Sequence, residues 1–293
     1  MVVNTIRKRL TLPFHQLQIM SRLLFLLFFL LSLLFSACYE DNIACLDPDA
    51  TNFDILADQS CPGCCQYPTF SLDVDRIWGD TVLFADSVYQ DGAGNDFRLI
   101  RFRVYLSELG LAAGVTELPI PENEVEVGIL SGADTVLTII NANVGLVSSI
   151  SSSTTSTVGQ LRIGIDSLTQ LLGTFGLGDD FTAVYPPAAP AASPLSTQVG
   201  LLNYNDGQGY LTASAEYVLT ATDDTVRVDA RGLQPFVLDF GPVAPLRGVN
   251  LTLELEADYQ QIFGTTDLAG TETEVAASIL SGVQRWFTVV GVR

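Results

Sequence analysis

Downstream of Cys38 this chain has no histidine, no lysine and no methionine; His15, Lys8, Met1 and Met20 are the only residues of those types, and all precede it. Each absence excludes chemistry. Without imidazole there is no Ser-His-Asp or Cys-His nucleophile, no imidazole proton shuttle and no histidine-ligated zinc or iron. Without lysine there is no Schiff base and no phosphate-loop lysine. Basic charge is scarce as well. Of 14 Lys and Arg, only Arg7, Lys8, Arg9 and Arg22 precede Cys38, where no Asp or Glu occurs; ten basic residues then face 33 acidic ones, a net charge of −23. Such a chain repels nucleic acid, so no nucleic-acid partner is expected and the acidity is read as serving solubility. Carboxylate catalysis, as in glycoside hydrolysis, stays open on composition. The pairs Asp179-Asp180 and Asp223-Asp224, however, read as turn residues. No enzymatic activity is expected.

What is present near the N-terminus is an export signal. Arg22 supplies the positive start, Leu23 to Phe35 form an apolar run interrupted only by Ser32, and Ser36, Ala37 and Cys38 close it. The run falls short of the ~20 residues that span a bilayer, so a cleaved signal is expected over a membrane anchor. The small-small-Cys ending is the order of a bacterial lipoprotein signal, with Cys38 as the acylated residue. Met20 reads as the natural start, and residues 1–37 as the signal region. The lipid membrane is then a partner through Cys38. An outer-membrane location follows, facing either the surface or the periplasm.

Residues 38–68 hold Cys38 and a Cys-rich module. Cys45, Cys61, Cys64 and Cys65 fall within one short segment and no cysteine follows. In an oxidising exported setting this reads as two disulfides, with three connectivities possible and Cys64–Cys65 disfavoured by the strain of a vicinal bridge. The rival is a thiolate metal site using Cys61 and Cys64. Asp47, Asp49, Asn52, Asp54 and Asp58 offer oxygens suited to calcium, or alternatively turn caps through Asx hydrogen bonds.

From residue 69 to 293 the pattern is all-β. In Arg98–Leu106, Ile100, Phe102, Val104 and Leu106 are predicted on one face and Arg101, Arg103 and Tyr105 on the other. Similar runs occur at Thr135–Asn141, Gln160–Ile165, Gly209–Leu219, Thr225–Ala230, Phe236–Phe240 and Asn250–Glu256. Turn pairs such as Asp91-Gly92 and Asp206-Gly207 separate them. The expected architecture is an antiparallel β-sandwich behind a small disulfide-rich N-terminal module. Ser148–Thr157 and Pro186–Pro194 are expected as exposed loops, and Asp166–Leu172 as a short helix.

Two resemblances add to this. Cys45, Asp47, Pro48, Ala50, Asn52, Phe53 and Asp54, followed by Cys65 and Tyr67, resemble a C-x-D-P-x-A-x-N-[YF]-D module of surface proteins from Bacteroidetes-type bacteria. Cys61 and Cys64 are additions to its simplest form. Glu40 and Asp41 resemble the acidic export signal of lipoproteins in these bacteria. From Phe70 onward the chain resembles the MbnP family, copper-binding proteins of methanobactin gene cassettes. The matching pieces are Phe70–Asp75, Arg103–Leu109, Leu161–Asp166, Gly209-Tyr210 and Phe236–Gly241. The resemblance implies a β-sandwich and copper. The family's histidine positions are occupied by Asp75 and Asp239, and its two tryptophans by Leu202 and Tyr204. Carboxylates favour hard cations, so copper through these positions is not expected. The expected role is a binding or accessory one, linked through the family to metal handling. The alternative is a structural or adhesion-type surface lipoprotein that engages a protein or glycan through loops such as Pro186–Pro194.

Overall fold

The computed structural model describes residues 22–28, 40–120, 123–131, 134–149, 154–162, 167–181, 184–189, 193–196, 204–205 and 209–293. Cys38, His15, Leu202 and the Ile163–Asp166 part of the family-like motif lie outside them. Of residues 1–37 only 22–28 are described, as a helix (α1). No helix among the described residues is long and apolar enough to cross a membrane. The chain divides into two compact units, one made of residues 1–46 with 54–64, the other of 47–53 with 65–293.

The first unit has little apolar interior and is ordered by polar contacts. Strand β1 (Ile43–Ala44) runs parallel to β2 (Gln59–Ser60), and a 3-10 turn covers Pro62–Cys64. Asn42 organises the loop between them: its backbone N–H donates to Asp58 Oδ2 at 2.9 Å and its side-chain amide to Asp54 Oδ2 at 3.1 Å. Asp54 Oδ1 also accepts from the Leu56 N–H at 2.9 Å, an Asx turn. Cys45, fully buried, is disulfide-bonded to Cys65. Closing a loop of this length stabilises by roughly 3 kcal/mol on chain-entropy grounds, which matters in a segment without a core.

The second unit is an antiparallel sandwich, as the period-two pattern predicts. Its larger sheet is ordered β16 (Asp224–Ala230), β15 (Ala213–Leu219), β6 (Asp96–Ala113), β12 (Leu168–Phe175) and β17 (Gln234–Val243). Three further strands pair along β6: β5 (Val88–Gln90), β7 (Thr116–Pro119) and β10 (Gly145–Ser148). The smaller sheet runs β11 (Thr154–Gln160), β3 (Thr69–Trp78), β18 (Leu251–Asp258) and β19 (Phe287–Val292), with β4 (Thr81–Val82) on β3. Within these two sheets only the β3–β18 pairing is parallel. Two ribbons stand apart, β8 (Asn123–Ser131) with β9 (Asp134–Ala142) and β13 (Tyr204–Asn205) with β14 (Gly209–Tyr210). Alternate residues of each sheet meet between them, including Phe70, Leu72 and Val74 of β3, Leu251, Leu253 and Leu255 of β18, and Phe102, Val104 and Leu106 of β6. One end of this core is closed by α2 (Gln260–Phe263) and α3 (Glu272–Val283), through Ile262, Phe263, Val275, Ile279 and Val283.

Four expectations are corrected. Asp166–Leu172 is no helix: Leu168–Phe175 is β12, because pairing on both sides with β6 and β17 outweighs a three-leucine helical face. Ser148–Thr157 is partly strand, since β11 begins at Thr154 and its polar side chains sit beside β3; Thr155 donates to Asp73 at 3.1 Å. The strand expected at Gln160–Ile165 therefore ends at Gln160. Ile100 points outward and is 38% exposed, while Leu99 and Phe97 are buried. The register with β15 passes from Glu216–Arg101 to Tyr217–Leu99, so Ile100 is the extra residue of a bulge, and a single insertion reverses which face is inside.

Candidate functional site

A second bulge builds the cleft that stands out as a site. Between β12 and β6 the register moves from Leu172–Gly110 to Thr174–Ser107, leaving two β6 residues, Glu108 and Leu109, opposite one of β12, Gly173. Glu108, at this step, has φ 54°, the left-handed region that a glycine would occupy at no cost and a glutamate only at some cost. The conformation turns its carboxylate toward Thr174, whose hydroxyl donates to Glu108 Oε2 at 2.7 Å. Around it, β6, β7, β12 and β17 line an open cleft of about 760 Å³. That is the size range of small-molecule sites. Leu172, Pro235 and Val237 give it its accessible apolar surface over the buried Leu109, Leu111 and Phe236, and Glu108 and Glu117 its charge. Gly173 permits the close packing beneath: a Cβ there would fall 2.5 Å from Phe236 Cζ and 2.8 Å from Leu109 Cδ2. The void between the sheets beside Leu106 is only about 20 Å³ and largely apolar, too small for a ligand.

The positions matched to the family's metal ligands are not brought together in this way. Asp75 lies on β3 of the smaller sheet, exposed and in register with Glu256. Asp239 lies on β17 of the larger sheet, exposed, and its Oδ1 accepts from Gln170 Nε2 at 2.7 Å. Tyr204 pairs through its backbone with Tyr210. Among the described residues no group of three or more His, Cys, Asp or Glu is disposed to hold a metal ion.

The oxygens offered to calcium are engaged by the protein itself. Asp47 Oδ2 meets Arg162 Nη2 at 2.8 Å and accepts from the Tyr67 hydroxyl at 2.9 Å, and its Oδ1 accepts from the Asp49 N–H at 3.0 Å. That N–H foremost, then Tyr67 and the arginines, hold the Asp47 carboxyl below its ordinary range against a smaller opposing effect of desolvation. Asp49 Oδ1 has no hydrogen bond but faces Arg247 Nε at 3.6 Å, an ion pair without hydrogen-bond geometry. Arg162 also covers the Tyr67 ring, 5.7 Å from its centroid. Asn52 Oδ1 accepts from the Gln66 N–H at 2.9 Å. Asp54 and Asp58 belong with Asn42, as described above. Cys61 and Cys64 neighbour one another in the 3-10 turn, where the Cys64 thiol donates to the Cys61 carbonyl at 3.0 Å. A hydrogen bond with Cys61, then desolvation, pushes the Cys64 thiol up.

Two tyrosines that fall in the expected strands and in the family-like pieces prove to be anchors. Tyr105 and Tyr210 meet edge to face with centroids 5.4 Å apart. The Tyr105 hydroxyl donates to the Pro194 carbonyl at 2.9 Å and the Tyr210 hydroxyl to the Leu195 carbonyl at 2.7 Å. Burial raises the Tyr105 pKa. With Val127, Leu177, Phe181, Val184, Ala189 and Leu195 they form a second, smaller core. Of the segment expected as an exposed loop at Pro186–Pro194, residues 190–192 lie outside the described residues; Pro186 and Ala189 are buried, Pro187 is exposed, and the Pro194 carbonyl is held by Tyr105.

Fold and cleft together define an all-β, two-sheet sandwich with a short disulfide-bonded segment before it. No family model matches the chain, and no curated protein matches it. Among solved structures it is similar to MbnP from Methylosinus trichosporium, at 14% identity and a TM-score of 0.41, over 68% of this chain and 78% of that one. A likeness this distant says nothing about ligands.

Proposed function

We propose that this chain is an exported lipoprotein, acylated at Cys38 and held at the outer membrane, whose sandwich binds a ligand for an envelope system and catalyses no reaction. The observation that carries the binding role is the cleft with Glu108 held in a costly backbone conformation beside it. The anchoring rests on the signal-like run that ends at Cys38. A binding role without copper is supported by the exposed, separate placement of Asp75 and Asp239 on different sheets. The adhesion alternative is less favoured, because Pro186 and Ala189 of the Pro186–Pro194 segment are buried, Ala189 within the smaller core. Two measurements test the reading. Cys38→Ser should move the protein from the membrane to the soluble fraction; wild-type protein already soluble, with an unmodified Cys38 by mass spectrometry, would overturn the anchoring. Val237→Trp, at an exposed cleft position, should fill the cleft and remove any ligand that native mass spectrometry finds on the wild type; a ligand retained in the variant would overturn the site.

A further inference from the structure

We infer that the cleft takes a linear polyamine, a methylene chain carrying an ammonium group toward each end; the inference rests on the cleft being the binding site. The charge has one sign: among the described residues Glu108 and Glu117 are the ionisable ones that line it, with no arginine beside them. Neither carboxylate forms an ion pair among the described residues, although Asp47, Asp49, Asp73, Glu216, Asp223, Asp229 and Glu254 all do. The spacing of Glu108 and Glu117 decides which kind of cation they suit. Glu117 is in register with Ala112, four residues along β6 from Glu108. At strand rise their backbone positions lie up to about 13 Å apart, and neither belongs to a group of three or more ligating residues disposed to hold a metal ion among the described residues. The surface between them is supplied by the exposed Pro235 and Val237 and the half-buried Leu172, in the row of Gly110. An apolar stretch with a carboxylate near each end complements a methylene chain with an ammonium at each end. Anions are repelled by the same pair. Glu108 is also the residue whose backbone conformation a glycine would relieve, so its side chain has a use that offsets the strain.

The test is calorimetric binding of 1,8-diaminooctane, octylamine and calcium chloride to the full exported protein near physiological salt, where diffuse attraction to the acidic surface is screened. The diamine should bind at least tenfold more tightly than the monoamine, and calcium should not displace it. Glu108→Gln, which keeps an acceptor for Thr174, and Glu117→Gln should each weaken the diamine roughly tenfold, the size of one charge contact in a partly exposed cleft. Asp86→Asn, which removes an equal charge from an exposed turn, should change nothing. Glu108→Gly should also lose binding while leaving the unfolding midpoint unchanged or higher, which separates the ligand role from a structural one. Equal affinity for diamine and monoamine, indifference to both Gln variants, displacement by calcium, or no amine binding would overturn the polyamine assignment. If diamine binding survives Val237→Trp, the cleft itself is wrong; if Val237→Trp abolishes amine binding that the Gln variants leave intact, the cleft stands and only the polyamine assignment falls.

Discussion

Replacing Asp91 by alanine should destabilise the sandwich more than most single changes on its surface. Asp91 sits in the turn after β5 and is 6% exposed. Its Oδ1 accepts from the N–H groups of Ala93 at 2.9 Å and Asn95 at 2.7 Å. Its Oδ2 accepts from Asn95 Nδ2 at 2.9 Å and from the buried Leu268 N–H at 2.8 Å. Leu268 is gripped on its other side too, its carbonyl accepting from the Tyr217 hydroxyl at 2.8 Å. Losing the acceptor leaves the Leu268 N–H unsatisfied at about 1–3 kcal/mol and removes three part-buried charge-assisted bonds that water largely replaces; the sum is about 3 kcal/mol. In a domain of this size that lowers the melting temperature by roughly 6–12 °C. Asp91→Asn, which retains one acceptor oxygen, should cost about half as much. Burial by itself pushes this carboxyl up, but the Asn95 side chain and the Leu268, Asn95 and Ala93 N–H groups outweigh it and hold the pKa below its ordinary value. A depressed folded-state pKa gives stability that is complete above the unfolded value near pH 4 and is lost as pH falls through the lower folded one. Urea unfolding at pH 7 and at pH 3 measures both effects. A loss for Asp91→Ala below about 1 kcal/mol at pH 7, or one no smaller at pH 3, would refute the reasoning.

Three other outcomes are expected. Exported protein alkylated without reduction should carry no label on Cys45, Cys61, Cys64 or Cys65, and labelling of Cys61 and Cys64 alone would limit the segment to the Cys45–Cys65 bridge. Tyr105→Phe and Tyr210→Phe should each cost about 1 kcal/mol and speed proteolytic cleavage within residues 186–196, because each loses one buried hydroxyl bond to the segment's backbone; unchanged cleavage would mean that apolar packing alone holds it. Oxidised protein should not retain stoichiometric copper through a desalting column, nor should Asp239→Ala alter what remains, and tight copper abolished by Asp75→Ala or Asp239→Ala would contradict this.

Strand identity was largely readable where one face of a strand is buried and the other is wet. Thr135–Asn141, Thr225–Ala230 and Phe236–Phe240 each lie within a strand of the fold, and Asn250–Glu256 does so from Leu251 on. One element was readable and overlooked. Thr271 and Glu274 form a reciprocal capping box before Val275, Ile279 and Val283, a helix start spelled out in the sequence. Its cap also depresses the Glu274 pKa, first through the Thr271 hydroxyl and then through its backbone N–H. β12 was not readable, because Leu168, Leu171 and Leu172 suit a helix locally and only neighbours on both sides make them a strand.

Composition alone determined that nothing after Cys38 supplies imidazole or a lysine amine, that the protein is strongly acidic, and that alternating apolar residues must face one another across two sheets. The cleft belongs to the tertiary structure. Glu108 became a lining residue because one extra residue in β6 reverses the inside and outside of the strand at that step, and whether a bulge forms depends on the register of β12. Glu117 joined it only through the pairing of β7 with β6. The same holds for Asp47 and Asp49, whose spacing fits a cation but whose oxygens are claimed by Arg162 and Arg247, more than a hundred residues further along the chain. Side-chain chemistry is written in the sequence, whereas partners distant in the chain are chosen by register and packing, whose energies are collective.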